Sequence, residues 1–236
     1  MAVRDRKSNK RIVSTRAKAS RARAERARGA TTVQRSTASP SATTKGARRP
    51  SEVATAPPIA RPMSSFDYCR SLIRDVPDFP KPGILFKDIT PLLAVPRALH
   101  IVLDGIAERF IGEHIDAIAG VEARGFIFGG ALAARLNASF VPVRKPGKLP
   151  AAADRVEIVT EYSRDALEMH KGSLREGAGV LVVDDVLATG GTARAAAELV
   201  HIQGGYVLGY AFVVELGFLG GREKLLPVRV ESCIVY

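Results

Sequence analysis

Val180–Thr192 reads VLVVDDVLATGGT. Its first half, taken with Gly179, is the run Gly179–Val183 (GVLVV), apolar on both faces, which predicts a buried strand. Two carboxylates, Asp184 and Asp185, close that run, and a loop with Thr189, Gly190, Gly191 and Thr192 leads into an Ala-rich helical stretch, Gly191–Gln203. In open parallel sheets ligands sit beyond the carboxyl ends of strands. Glycines there let backbone N–H groups approach an anion, threonine hydroxyls add donors, and the next helix presents its positive end. The segment Ala188–Thr192 therefore predicts a phosphate cradle. The acidic pair before it suits a sugar diol or the oxygen-rich shell of Mg2+. It is not an ATP-type P-loop, because no Gly-Lys-Ser/Thr follows and the lysine that would reach the phosphates is missing. The competing reading is an acidic, Gly-rich turn with no ligand.

Outward from this segment, strand and helix patterns alternate. Ser64–Asp75 and Pro96–Ile111 carry helical apolar spacing, separated by a loop rich in proline and glycine that includes Leu85-Phe86-Lys87-Asp88. Ile115–Val121 reads as a buried strand, Glu122–Gly125 as a turn, Phe126–Leu136 as a small-residue helix and Ser139–Val143 as a strand. Arg144–Tyr162 has weak apolar order; Tyr206–Val214 is a further strand and Val228–Val235 an edge strand. The expected class is α/β, a mainly parallel sheet with helices on both faces.

Charge divides the chain. Residues 1–62 hold 16 Lys and Arg against 3 Asp and Glu, whereas residues 63–236 hold 19 against 21, so the net charge of +11 belongs to the first quarter. Residues 1–62 contain no Leu and no aromatic residue. Such a stretch buries too little apolar area to offset the cost of ordering it. It is expected to be a disordered basic extension, with the folded domain spanning 63–236. Three readings of the extension are open: an organelle transit peptide, an arm that binds polyanions by charge alone, or sequence ahead of a true start at Met63. No uncharged apolar run approaches the roughly 18 to 20 residues needed to span a bilayer, and a membrane is not an expected partner. Cys69 and Cys233 fall in no metal-ligand spacing, which fits a reducing, cytoplasmic location better than a disulfide framework. The four histidines have no partner spacing.

Other polar residues stand at strand ends. Arg124, in Glu122-Ala123-Arg124-Gly125, is placed either for a bidentate contact with phosphate or as a surface arginine in a turn. Arg144, Lys145 and Lys148 put three cations in five residues, either an anion site or a solvated face. Glu161 followed by Tyr162 reads from sequence alone as a solvated loop pair, and Phe86 as either a core anchor or a ligand contact.

These blocks together resemble one family. VLVVDDVLATGGT resembles the phosphoribosyl pyrophosphate (PRPP) motif of type I phosphoribosyltransferases. Phe79–Leu93 (FPKPGILFKDITPLL), Glu122–Ala133 (EARGFIFGGALA), Val143–Pro150 (VRKPGKLP) and Glu161–His170 (EYSRDALEMH) resemble, in the same order, the blocks of adenine phosphoribosyltransferases. The resemblance spans nearly all of 66–231 and none of 1–62. It implies the type I phosphoribosyltransferase fold, a homodimer, and Mg2+-dependent conversion of adenine and PRPP to AMP and pyrophosphate. It implies further that Ala188, Thr189, Gly190, Gly191 and Thr192 hold the 5′-phosphate. Asp184 and Asp185 would hold the ribose hydroxyls and order the metal shell, directly or through water. Arg124 would face the pyrophosphate, and Arg144, Lys145 and Lys148 would begin a mobile loop closing over it. The backbone of Leu85 and Lys87 would read the adenine edge with Phe86 and Val186 near its face. Glu161, beside Tyr162, would exchange a proton with the purine N7; Ser163 stands where the family usually has Gly. Two rival functions are a transferase for another nucleobase and a nucleotide-sensing regulator of the same fold that binds nucleic acid, the second disfavoured because the basic extension has no helix-turn-helix pattern.

Overall fold

The computed structural model describes residues 64–159 and 164–236. The expectations for the basic extension, and for Glu161 and Tyr162, lie outside the described residues. Helix α1 (Ser65–Ser71) opens on a capping box, Asp67 N–H donating to Ser64 Oγ at 3.1 Å and Ser64 N–H to Asp67 Oδ2 at 3.3 Å. The helix expected to reach Asp75 stops at Ser71. Strand β1 (Arg74–Pro77) follows and pairs antiparallel with β2 (Leu85–Asp88), a strand formed within the stretch that its prolines and glycine mark as loop. Arg74 fixes this pairing by an ion pair with Asp88 at 2.6 Å. Asp88 also accepts the Thr90 N–H at 2.9 Å, at the start of the short helix α2 (Thr90–Leu93).

Helix α3 (Pro96–Arg109) starts with proline at its first position, where the missing N–H costs nothing, and buries Ala98, Val102, Leu103 and Ile106. Strand β3 (Ala117–Val121), helix α4 (Gly125–Leu136) and strand β4 (Ser139–Val143) form a parallel β-α-β unit; α4 ends at Asn137, whose φ of 53° is the left-handed cap conformation. Phe140 lies across the α4–β3 contact. A Cβ at Gly120 would sit 2.5 Å from its ring and one at Gly129 2.9 Å, and Phe126 packs edge-on to the same ring at 5.6 Å.

Strands β5 (Ala153–Val159) and β6 (Arg164–His170) make an antiparallel ribbon that the sequence reading missed. Strand β7 (Gly179–Leu187) runs four residues past the expected Val183, through the acidic pair, because its parallel pairing with β8 continues to Leu187 and Glu215. Helix α5 (Gly191–Ile202), strand β8 (Tyr206–Glu215), two 3-10 turns (Gly217–Leu219 and Arg222–Leu225) and strand β9 (Arg229–Val235) complete the chain.

The main sheet has order β4-β3-β7-β8-β9 and is parallel throughout, with β9 at the edge as expected. Side chains alternate across it. Ala117, Ala119, Val180 and Val182 pack towards α5, whereas Ile118, Leu181 and Val183 pack towards α3 and α4. That double coverage explains why β3 and β7 read as continuous apolar runs. The chain steps from β3 outward to β4, then returns to the other side of β3 for β7. The strand order thus reverses between β3 and β7, and both strands end there at the same edge. No helix among the described residues is long and apolar enough to cross a membrane.

Candidate active site

A cleft of about 750 Å3 opens at the carboxyl ends of β3 and β7, the reversal point of the sheet. It is within the usual range for small-molecule sites, about 300–1,000 Å3. One wall is the turn after β3, with Glu122, Ala123 and Arg124; the floor carries Asp184, Asp185 and Val186; β2 contributes Leu85, Phe86 and Lys87 from the opposite side. Ala188 and Thr192 belong to this cleft and also to a neighbouring hollow of about 60 Å3 formed with Thr189, Gly190 and Gly191, a size that suits one small anion. Gly190 has φ 79°, and α5 starts after it with no side-chain cap. Among the described residues no side chain caps its first-turn N–H groups, which suits them to an anion.

The acidic pair is electrostatically costly. Asp185 is 5% exposed, and its Oδ2 takes no hydrogen bond among the described residues; Arg124 Nε stands 2.5 Å away as a charge partner without the direction of a hydrogen bond. Asp184 Oδ1 accepts the Asp185 N–H at 2.8 Å. Burial, and then the charge of Asp185, push the Asp184 carboxyl well above the ordinary aspartate range. An anionic pair gathered at a cost, with one buried oxygen unsatisfied, is the signature of a site completed by a ligand. Among the described residues no group of three His, Cys, Asp or Glu side chains is assembled to hold a metal. The donor set therefore fits Mg2+ that shares its shell with water and with oxygens of a bound ligand, rather than an all-protein cage. The approach of α4 to these carboxylates requires Gly125: a Cβ there would lie 2.8 Å from the Val183 carbonyl oxygen and 2.9 Å from Asp184 Oδ1.

Arg124 also lies over the Phe86 ring, 5.1 Å from its centre, so the β3 turn and β2 meet across the cleft. The Glu122–Ala123 peptide is cis. The Lys87 side chain is engaged away from the cleft, with Asp75 at 2.7 Å and the Tyr236 ring at 4.0 Å. Among the described residues strand β2 pairs with β1 alone, and its other edge has no strand neighbour.

Of the predicted cationic cluster, only Lys145 lines the cleft. Arg144 is turned to Glu122, with contacts of 3.1 and 3.3 Å, and donates to the Lys148 carbonyl at 2.9 Å. That guanidinium holds the Glu122 carboxyl below the usual carboxylate range. Lys148 is exposed and outside the cleft lining. Sequence reasoning missed Ile84, Ile158 and Leu167, and the cleft residues Leu216 and Leu219 after β8. The Gly-rich GFLGG at 217–221 was the available signal for the last two. Cys69 and Cys233 are buried free thiols in the apolar layer under α3, and burial pushes the Cys233 thiol up to about 12.

Comparison with known proteins agrees with this geometry. The phosphoribosyl transferase domain family matches residues 92–234. The adenine phosphoribosyltransferase of Sorangium cellulosum is 73% identical over 169 residues, covering 72% of this chain and 84% of the relative. The crystal structure of adenine phosphoribosyltransferase from Thermoanaerobacter pseudethanolicus superposes with a TM-score of 0.71 at 48% identity, covering 72% of this chain and 99% of that one. The Saccharomyces cerevisiae enzyme, complexed with adenine and an imino-altritol bisphosphate, superposes at 0.67 with 40% identity, covering 72% and 98%. A parallel sheet that reverses at an acidic pair, a glycine cradle beyond it and this likeness in sequence and fold lead to one assignment: the chain belongs to the phosphoribosyl transferase domain family, among the adenine phosphoribosyltransferases.

Proposed function

We propose that this protein transfers the phosphoribosyl group of PRPP to N9 of adenine, giving AMP and pyrophosphate. The observation that carries the reading is the acidic pair Asp184–Asp185, which lines a cleft walled by β2, with Asp184 lining the glycine cradle beside it as well. In this reading Ala188, Thr189, Gly190, Gly191 and Thr192 take the 5′-phosphate through backbone N–H groups and hydroxyls. Asp184 and Asp185 accept hydrogen bonds from the ribose hydroxyls, which fixes C1′ between the leaving group and the base. As the C1′–O bond to pyrophosphate breaks, positive charge develops on the ribose and negative charge on the departing oxygen. The carboxylates oppose the first and Arg124 the second. Lys145, and Arg144 and Lys148 after leaving their present partners, add positive charge along the pyrophosphate. The edge of β2 at Leu85 and Lys87 reads adenine, with Phe86 and Val186 against its faces; Glu161 exchanges the N7 proton while N9 forms the new bond, and Tyr162, next in sequence, is assigned to substrate binding. Mg2+, when bound with PRPP, would neutralise charge on its oxygens, held by Asp184 and Asp185 directly or through water.

The activity is assigned to residues 63–236, with 1–62 as an extension outside the site. The working form is read as a homodimer acting in the cytoplasm, as the family likeness suggests. A base panel tests the function: PRPP and Mg2+ with adenine, hypoxanthine, guanine, xanthine or orotate, scored by chromatography of the nucleotide formed, on the full chain and on one starting at Met63. Adenine is expected to react far faster than the others in both. Equal or better turnover of another base would overturn the adenine assignment, and an inactive shorter chain would overturn the boundary.

A further inference from the structure

The segment after β8 touches the phosphate loop from behind. A Cβ at Gly190 would stand 2.6 Å from the Gly221 carbonyl oxygen. The approach is reciprocal: a Cβ at Gly221 would run into the Ala188 carbonyl and lie 3.0 Å from the Gly190 nitrogen. Gly221 has φ −62° and ψ −33°, a conformation open to any residue, so space alone requires glycine there. Backbone meets backbone with no side chain between.

The next residue fastens this contact. Arg222 donates from Nε to Glu215 Oε1 at 2.9 Å, from Nη2 to Oε2 at 2.5 Å, and from Nη1 to the Val230 carbonyl at 2.7 Å. It is thereby tied to the end of β8 and to β9 at once. Glu215 is 4% exposed, and the fork holds its carboxyl below the usual range. Gly221, Arg222 and Glu215 do not line the cleft. With the Arg222 side chain 41% exposed, the ion pair is a poor source of stability, whereas its bidentate fork fixes position and orientation.

We propose that Gly221 and the Arg222–Glu215 pair are positioning residues for the phosphate loop: they set the backbone of Ala188–Thr192 at the height that grips the 5′-phosphate of PRPP. The inference rests on the reading of that loop given above. It predicts a defect confined to the phosphate half of the site, although the residues concerned touch no ligand.

The test uses the full chain carrying Gly221→Ala, Arg222→Met or Arg222→Lys, with ribose 5-phosphate as the probe, titrated calorimetrically, alongside steady-state constants for both substrates. Gly221→Ala and Arg222→Met are each expected to weaken ribose 5-phosphate binding about tenfold or more, the scale of one displaced hydrogen bond to a charged group. KM for PRPP should rise in step, and KM for adenine should stay within about twofold, as for an independent subsite. Arg222→Lys keeps the charge but not the fork and should fall between Met and the parent. Folded variants that bind ribose 5-phosphate like the parent would overturn the proposal. So would equal losses for adenine and ribose 5-phosphate, which mark general loosening. Should Arg222→Met fail to fold, Gly221→Ala and Arg222→Lys decide by the same readings. A parent protein that does not bind ribose 5-phosphate would overturn the loop reading itself, and the proposal with it.

Discussion

Replacing both carboxylates, Asp184→Asn with Asp185→Asn, should separate function from stability. Each carboxylate is assigned at least one hydrogen bond to a ribose hydroxyl. Hydrogen bonds to charged groups contribute about 1.5–3 kcal/mol. Asparagine keeps a neutral acceptor that contributes about 1 kcal/mol, so losing the charge of both removes about 2 kcal/mol, about thirtyfold in KM for PRPP. Stability should move the other way. The Asp184 carboxyl is pushed up by burial and by its neighbour's charge, so the folded state opposes its ionisation. For an acid shifted in that direction, stability is fullest below the unfolded pKa and falls as pH rises towards the folded one. Asparagine does not titrate. The variant should therefore compare best with the parent at neutral pH and lose that advantage in acid. Loss of the ion pair with Arg124 opposes the gain only in part, because the arginine side chain is 40% exposed and keeps water. Scanning calorimetry without PRPP or divalent cations should give a Tm at neutral pH equal to the parent or up to about 4 °C above it, the shift of about 1 kcal/mol in a domain of this size. A folded double variant with unchanged KM for PRPP would remove the pair from the site. A Tm several degrees lower at neutral pH would refute the claim that the carboxylates are held against their own repulsion.

Two further outcomes are expected. Glu161→Gln should lower kcat for adenine by about 10²-fold, the scale of a lost general acid or base, with little change in KM for PRPP and a flattened acidic limb of the pH–rate profile; parent-like kcat would hand the purine proton to another group. Asp88→Asn should cost about 1–2 kcal/mol at neutral pH, since the Thr90 hydroxyl, then the Thr90 N–H and then Arg74 bring this carboxyl from 3.8 down to about 2. That stability is present above the unfolded pKa and lost as pH falls through the folded one, so urea unfolding should show the difference at neutral pH and its disappearance near pH 2.

The parts of this fold that were legible in sequence are those whose burial is complete. Strands β3, β7 and β8 are covered on both faces, so their apolar runs needed no knowledge of partners. The cradle was legible because positive φ and close approach at Gly190 admit little but glycine. Strand β2 was hidden by the prolines and glycine just before it, and its pairing depends on an Arg74–Asp88 contact that no local pattern announces. The ribbon β5–β6 was missed because charged residues alternate with Val156 and Leu167, and only one face is packed. The engagement of Arg144 with Glu122, 22 residues away, is likewise a product of the β3–β4 register rather than of any motif. Adjacent cations read as one cluster in sequence, but the strand end sends Arg144 to a carboxylate and Lys145 to the cleft.

The slot that receives Phe140 links three positions that are far apart in the chain. Alanine for glycine is among the mildest of exchanges, yet at 120 or 129 it would meet the ring at 2.5 or 2.9 Å. The ring is partly exposed and can swing outward at the cost of its edge contact with Phe126, but at 129 the methyl group would also stand 3.3 Å from Gly120 Cα across the α4–β3 seam. A smaller residue at 140 would leave room for the methyl group at 120 and ease the exchange at 129, where the Gly120 backbone still stands 3.3 Å away. Lineages should therefore travel through this region by paired steps, the bulk gained on one side of the α4–β3 seam matched by bulk given up on the other. The order of the two steps matters too: trimming 140 first opens a shallow, tolerable gap at the surface, whereas filling 120 first pries at the helix that delivers Arg124 to the cleft.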